Sequence, residues 1–116
     1  MQLLCQHSEE GDVETLGIFP LKVKRFASDL GLKVPHMGWN NLVVKDNPLL
    51  KNISTKDYVY YVHSYYVEVG EDTIATCDYG LAFSAALQKD NFYATQFHPE
   101  KSGDIGEQIL TNFIEL

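Results

Sequence analysis

"GEDTIATCDYGLAFSAALQKDNFYATQF", residues 70–97, is the stretch that decides the fold. It contains three runs rich in apolar residues, and turn-forming residues divide them at Tyr79-Gly80 and at Lys89-Asp90-Asn91. Short runs of this kind, separated by Gly, Asp and Asn, are typical of antiparallel strands joined by tight turns. The stretch therefore predicts a three-stranded β-meander.

Extended segments come before the meander. "LGIFPLKVKRF" and "LKVPHMGWNNLVV" predict strands, and the Asn-Pro of "KDNPLL" predicts a break after them. "DYVYYVHSYYVEV" is dense in Tyr and Val, so it predicts one strand, or two strands that meet near His63 and Ser64.

Helical patterns are expected at both ends of the chain. "SGDIGEQILTNFIEL" predicts a helix capped by Ser102 or Asp104, with one face packed on a sheet. Its apolar residues at helical spacing are Ile105, Ile109, Leu110, Phe113 and Ile114. "MQLLCQH" predicts a helical turn or two without a capping residue, and "SEEGDVETLG" predicts a turn after it. This order of elements indicates an α/β or α+β fold, although no strand precedes the first helical pattern.

Composition limits the classes of function. The 116 residues are 45% hydrophobic, which is typical of a single globular domain spanning residues 1–116. The net charge of −7 argues against a nucleic-acid partner, because phosphate binding relies on clustered Lys and Arg. The sequence has no apolar stretch near the roughly 20 residues that span a bilayer and no signal peptide, so we expect no membrane partner and a cytoplasmic location.

His98 and Glu100 in "ATQFHPEKS" are the first candidates for chemistry. Proline disfavours the helical conformation for the residue before it, so His98 is expected to be extended. If the extended backbone continues through Pro99, the side chains of His98 and Glu100 point to the same side. A carboxylate there can orient an imidazole that acts as a base. The alternative is a strand-end turn with a solvated His and Glu.

The sequence offers no convincing nucleophile or metal site to accompany this pair. Cys5 lies in an apolar helical pattern and Cys77 in a strand pattern, so both are predicted to be buried structural residues. The two cysteines have no metal or disulfide-framework spacing, which favours a reducing compartment. His7, His36, His63 and His98 show no zinc-binding spacing, and we expect no metal.

"PHMGWNNL", residues 35–42, has two interpretations. An exposed loop with Met37 and Trp39 would suit a protein interface, where Met and aromatic side chains are favoured. Alternatively, Trp39 anchors the loop in the core.

Several stretches together resemble one family. "MQLLCQHSEEG", "GLKVPHMGWN", "VHSYY", "YGLAFSAALQKDNFYATQFHPEKS" and "GEQILTNF" are similar to the glutamine amidotransferase subunits of imidazole glycerol phosphate synthase, which are class I, triad-type amidotransferases. The resemblance implies the C-terminal portion of a flavodoxin-like α/β domain, mostly strands with a C-terminal helix. It also implies a glutaminase of histidine biosynthesis that needs no cofactor and passes ammonia to a cyclase subunit.

The resemblance implies roles for individual residues. His98 looks like the general base and Glu100 like its orienting acid, while Gln2, Ser64 and Tyr65 look like contacts for the substrate glutamine. The residues that look like the face for the cyclase are His36, Met37, Gly38, Trp39, Asn40 and Lys101.

The resemblance also bears on the nucleophile. Met1-Gln2 look like the end of the family's Gly-x-Cys-Leu-Gly-Met-Gln elbow, so we expect a fragment that begins three residues after the nucleophile and is inactive alone. Cys5 does not match the nucleophile. Two alternatives are a non-catalytic module that binds a partner through "PHMGWN", and a glutaminase of another class I amidotransferase pathway.

Overall fold

The computed structural model describes residues 7–8, 13–14, 16–17, 21–26, 36–54 and 57–116. These residues form ten strands, two 3₁₀ turns and one helix. The strands are β1 His7–Ser8, β2 Val13–Glu14, β3 Lys22–Arg25, β4 His36–Asn41, β5 Val43–Val44, β6 Tyr58–His63, β7 Tyr65–Val67, β8 Thr73–Asp78, β9 Ala82–Lys89 and β10 Phe92–Thr95. The 3₁₀ turns are Pro48–Leu50 and Pro99–Lys101, and the helix is α1 Gly103–Ile114.

The predicted β-meander is confirmed. β8, β9 and β10 pair antiparallel in chain order, and β5 joins the other edge of β8, giving the sheet order β10-β9-β8-β5. Asp90, between β9 and β10, has a φ of 53°, in the left-handed region that Asp and Asn tolerate. The central strand β9 is buried continuously from Phe83 to Leu87, so it forms the middle of the core.

Two further sheets contain the other strands. One has the order β2-β1-β3-β7, in which β1 and β3 are parallel and the other pairs antiparallel. The other is a two-stranded ribbon, in which β4 and β6 pair from His36 opposite His63 to Asn41 opposite Tyr58. The stretch dense in Tyr and Val is therefore two strands, β6 and β7, with Ser64 between them.

The C-terminal helix is confirmed, but its cap and its inward stripe differ from expectation. Ser102 occupies the N-cap position without making a side-chain capping hydrogen bond. The helix buries Ile109 together with Gly106 and Asn112, whereas three predicted apolar positions, Leu110, Phe113 and Ile114, are exposed. Asn112 lies inward because its Nδ2 donates to the carbonyl oxygens of Leu49 (2.9 Å) and Lys51 (2.8 Å), which follow the break at Asn47-Pro48.

The main core lies between the meander, the β4–β6 ribbon and α1. Tyr61, Phe83, Leu42 and Val59 have no exposed surface, and Ile109 of the helix packs with them. Burial of large apolar side chains is the main favourable term in folding, so this cluster holds the ribbon against the meander.

The prediction for the N-terminal stretch is corrected where it can be compared. His7 and Ser8 form a strand that pairs with Val13–Glu14, so the helical prediction does not extend to His7 and the turn prediction does not begin at Ser8. Residues 1–6, which contain most of the predicted helical turn, lie outside the described residues. In the described part of the chain, no helix is both long and apolar enough to cross a membrane.

Candidate functional site

His98 and Glu100 form the centre of the candidate site. His98 has φ −99° and ψ 99°, so the extended conformation expected before proline is confirmed. Its Nδ1 lies 2.9 Å from Oε1 of Glu100, which brings the two side chains together as predicted. The extended backbone that was expected to bring them together is wrong, because residues Pro99–Lys101 form a 3₁₀ turn. The turn itself folds the carboxylate back onto the imidazole.

The backbone of His98 is held on both sides by the ribbon and by Ser102. The N–H of His98 donates to the carbonyl of Tyr60 on β6 at 3.0 Å. The N–H of Tyr60 donates to Oγ of Ser102 at 2.9 Å, and that hydroxyl donates to the carbonyl of His98 at 2.6 Å. Sequence reasoning treated Ser102 as a helix cap and missed this role. No local signal could reveal it, because Tyr60 and Ser102 are 42 residues apart.

The carboxylate of Glu100 is held in its ionised form. Two hydrogen bonds lower the pKa of Glu100 below its usual value. The larger effect comes from the backbone N–H of Glu100 itself and the smaller from the side chain of His98. The group is largely exposed and stays ionised at neutral pH. Because Nδ1 of His98 is engaged by this carboxylate, Nε2 is the nitrogen that can exchange a proton with a substrate.

Cys77 does not supply a nucleophile for this pair. It is 1% exposed on β8, and burial raises the pKa of its thiol to about 11, so it is protonated at neutral pH. The interpretation of Cys77 as a buried structural residue is confirmed. Cys5 lies outside the described residues.

Ser64 and Tyr65, the predicted glutamine contacts, lie at the junction of β6 and β7. Both are half-buried, and the carbonyl of Ser64 accepts the N–H of Phe26 at 3.1 Å. His63, just before them, is close enough to His98 for a charge there to affect its pKa. The junction and the His98 turn therefore adjoin the same strand, β6. Gln2, the third predicted contact, lies outside the described residues.

The stretch predicted as an interface loop is the strand β4. Met37 and Trp39 are 58% and 54% exposed, so the alternative that Trp39 anchors the core is wrong. Lys101 is exposed, and a Cβ on Gly103 would lie 3.9 Å from the Trp39 ring, which places Trp39 beside the turn that follows His98. Of the other predicted contacts, Gly38 and Asn40 are half-buried, and His36 is buried on the opposite face of the strand.

Comparison with known proteins identifies the family and the fold of the chain. Residues 1–116 match the family described as Glutamine amidotransferase class-I. The chain belongs to the class I glutamine amidotransferase family. The solved structure of a putative GMP synthase protein from Thermoplasma acidophilum has the same fold, with a TM-score of 0.64 at 22% identity over 84% of this chain and 48% of that one.

Curated relatives of this amidotransferase chain share one name. Proteins called imidazole glycerol phosphate synthase subunit HisH are 59% identical in Bacteroides fragilis, 55% in Bacteroides thetaiotaomicron and 52% in Pectobacterium atrosepticum. Each match covers 100% of this chain and 60% of the relative. The chain therefore spans about three-fifths of the length of the curated relatives it matches.

This amidotransferase chain also contains a pair of buried histidines that no sequence motif indicates. His36 is stacked on Tyr79 and Tyr61, with ring centroids 3.9 and 4.9 Å apart, and His63 packs against Phe26. Burial, together with the neighbouring His63, lowers the pKa of His36 to about 4, and burial also lowers the pKa of His63. Both rings are neutral at pH 7. Only the pairing of β4 with β6 brings them together, so no spacing in the sequence could reveal the pair.

Proposed function

We propose that this chain provides the general base of the glutaminase subunit of imidazole glycerol phosphate synthase, which hydrolyses glutamine to glutamate and ammonia. The observation that supports this most directly is the 2.9 Å contact between His98 Nδ1 and the Glu100 carboxylate, on a backbone held by Tyr60 and Ser102. The curated relatives named as HisH subunits support the pathway.

The proposed chemistry assigns a step to each member of the pair. A cysteine thiolate attacks the side-chain amide of glutamine, and Nε2 of His98 protonates the departing ammonia. His98 then takes a proton from the water that attacks the thioester and releases glutamate. Glu100 stabilises the imidazolium in both steps. Because the thiol of Cys77 is buried and protonated, the attacking thiol is provided from outside the described residues.

We also assign the partners. Ser64 and Tyr65, with Gln2, contact the substrate glutamine. The exposed side chains of Met37 and Trp39, with Lys101, meet the cyclase subunit that receives the ammonia. Aromatic and Met side chains are enriched at protein interfaces, and Trp is prominent among the residues that dominate binding energy. Neither step of this chemistry needs a cofactor, nucleic acid or membrane, and we place the protein in the cytoplasm.

The test uses the full chain encoded by the gene, together with the cyclase and the nucleotide ligand of the cyclase. His98→Asn is expected to lower glutaminase kcat by about 10² to 10⁴, the usual contribution of general acid–base catalysis. Glu100→Gln keeps the shape but removes the charge and should also lower kcat. Glu107→Gln, an exposed carboxylate on α1, is the matched control and should leave kcat unchanged. Activity of His98→Asn near that of the parent would refute the proposal.

One observation supports a second candidate function. Met37 and Trp39 form an exposed apolar pair on β4, which would suit a non-catalytic module that holds a partner. Such a module would bind the cyclase specifically while the parent chain showed no glutaminase activity. A glutaminase of another class I pathway would instead release ammonia when mixed with a different synthase and not with the cyclase.

A further inference from the structure

Two histidines that the proposed chemistry does not use are joined in one line of hydrogen bonds. His36 on β4 and His63 on β6 lie opposite each other in the ribbon, with His36 Nδ1 3.0 Å from His63 Nε2. His36 Nε2 faces Nδ2 of Asn40 at 3.3 Å, and His63 Nδ1 faces the carbonyl of Tyr65 at 2.7 Å. All four ring nitrogens therefore have a partner. These hydrogen bonds connect Asn40, His36, His63 and the carbonyl of Tyr65 in that order. We call this series of groups the histidine relay.

The two ends of the relay require the same direction of hydrogen bonding. At one end the Tyr65 carbonyl can only accept, so His63 carries its proton on Nδ1, and its Nε2 accepts from His36 Nδ1. At the other end the N–H of Asn41 donates to Oδ1 of Asn40 at 2.8 Å, which turns the Asn40 amide nitrogen toward His36 Nε2. Both rings must then be neutral with the proton on Nδ1, because a further proton would set two donors against each other.

The relay ends at the segment proposed to bind glutamine. The bond from His63 holds the carbonyl of Tyr65, and the bond from the Phe26 N–H holds the carbonyl of Ser64. The peptide groups on both sides of Tyr65 are thereby held in place. Stacking of His36 on Tyr61 and Tyr79 holds the orientation of the first ring as well.

We propose that the histidine relay positions the Ser64–Tyr65 segment for glutamine, so that His36 and His63 are positioning residues for substrate binding. This inference rests on the proposed function, because it assumes that Ser64 and Tyr65 contact glutamine. Neither histidine touches the substrate in this proposal. Their effect is on KM, whereas the effect of His98 and Glu100 is on kcat.

The direction of the relay can be measured without any activity. Nitrogen-15 chemical shifts of the imidazole rings distinguish a protonated nitrogen from an unprotonated one. At pH 7 the parent protein is expected to carry protons on Nδ1 of both His36 and His63. A proton on Nε2 of either ring would overturn the relay.

A variant of Asn40 tests the outer end of the relay. Asn40→Asp keeps an acceptor for the Asn41 N–H but replaces the donor that faces His36. The nitrogen shift of His36 Nε2 should change to the protonated value in this variant. An unchanged shift would also overturn the relay.

The kinetic test compares two replacements of His63, in the complex with the cyclase. His63→Leu removes the donor to Tyr65 and is expected to raise KM for glutamine by about tenfold, or about 1.4 kcal/mol, with a smaller effect on kcat. His63→Asn retains an amide N–H near the Nδ1 position and should recover most of the lost affinity. Equal KM values for the parent and a folded His63→Leu would overturn the proposal.

The outcomes separate this inference from the proposed function. If the parent complex shows no glutaminase activity, the proposed function fails, while the nitrogen shifts still decide whether the relay exists. If the parent is active and His98→Asn is not, but KM does not respond to His63→Leu, the proposed function stands and the positioning role fails. If His63→Leu does not fold, the shifts of the parent and of Asn40→Asp still test the relay.

Discussion

Acidification is expected to destabilise the protein through His36. Its pKa is about 4 in the folded state and 6.5 in the unfolded state. As the pH falls through 6.5, His36 takes up a proton in the unfolded chain but not in the folded protein. The free energy of unfolding is therefore highest above pH 6.5 and decreases towards pH 4. At pH 5 the unfolded ring is almost fully protonated and the folded ring about one-tenth protonated, which costs about 2 kcal/mol relative to pH 8. His63, whose pKa is lowered too, adds to this loss.

The assay is urea unfolding followed by circular dichroism at pH 8 and at pH 5. Carboxylates also titrate over this range, so the informative quantity is the difference between the parent and His36→Gln. The variant should lose about 2 kcal/mol less than the parent on acidification, because its side chain cannot take up the proton. Parallel losses in the parent and His36→Gln would refute the reasoning.

Three further predictions follow from the core, the interface and the helix start. Cys77→Ala should keep glutaminase activity. In the folded parent, iodoacetamide should fail to label Cys77, because the thiol is buried and its pKa is raised to about 11, and rapid labelling would contradict this burial. Trp39→Ala should weaken cyclase binding by about 2 kcal/mol, which is roughly a 30-fold increase in Kd measured by calorimetry. Phe92→Ala, which truncates an exposed aromatic side chain on β10, should leave Kd unchanged, and equal losses in the two variants would contradict the assigned face. Gly106→Ala would drive a Cβ into the Pro99 carbonyl and should lower unfolding free energy by about 1–3 kcal/mol, together with kcat, and an unchanged denaturation midpoint would contradict that packing.

Local sequence was sufficient for the elements whose signals are local. The turn residues around Gly80 and Asp90 predicted the meander, and both turns lie where expected. Proline at position 99 predicted the extended conformation of His98. Of the two interpretations of the stretch rich in Tyr and Val, one strand or two strands meeting near His63 and Ser64, the second is the one observed. In each case the decisive constraint is the backbone preference of one or two residues.

The remaining features depend on residues that are distant in the sequence. The pairing of β4 with β6 places Trp39 outward and His36 inward, and a short apolar stretch alone does not reveal which face is buried. The contact of His98 with Glu100 comes from a 3₁₀ turn, which the pattern of side chains did not predict. The inward stripe of α1 was mispredicted because Asn112 satisfies two carbonyls of another segment, which helical spacing cannot show.

Asn112 fixes the position of α1 along the helix axis. A helix held only by Leu and Ile could slide by one turn and exchange one set of apolar contacts for a similar set. With Asn112 inward, such a slide would leave the carbonyl of Leu49 buried without a donor, at a cost of about 1–3 kcal/mol, and would also break the hydrogen bond to the partly buried carbonyl of Lys51. The Asn112 amide therefore fixes the helix near its C-terminal end, which is the end farther from His98 in the sequence. Since α1 follows Ser102 directly, a shift of the helix would also displace the Pro99–Lys101 turn, and the hydrogen bonds of Asn112 oppose that shift.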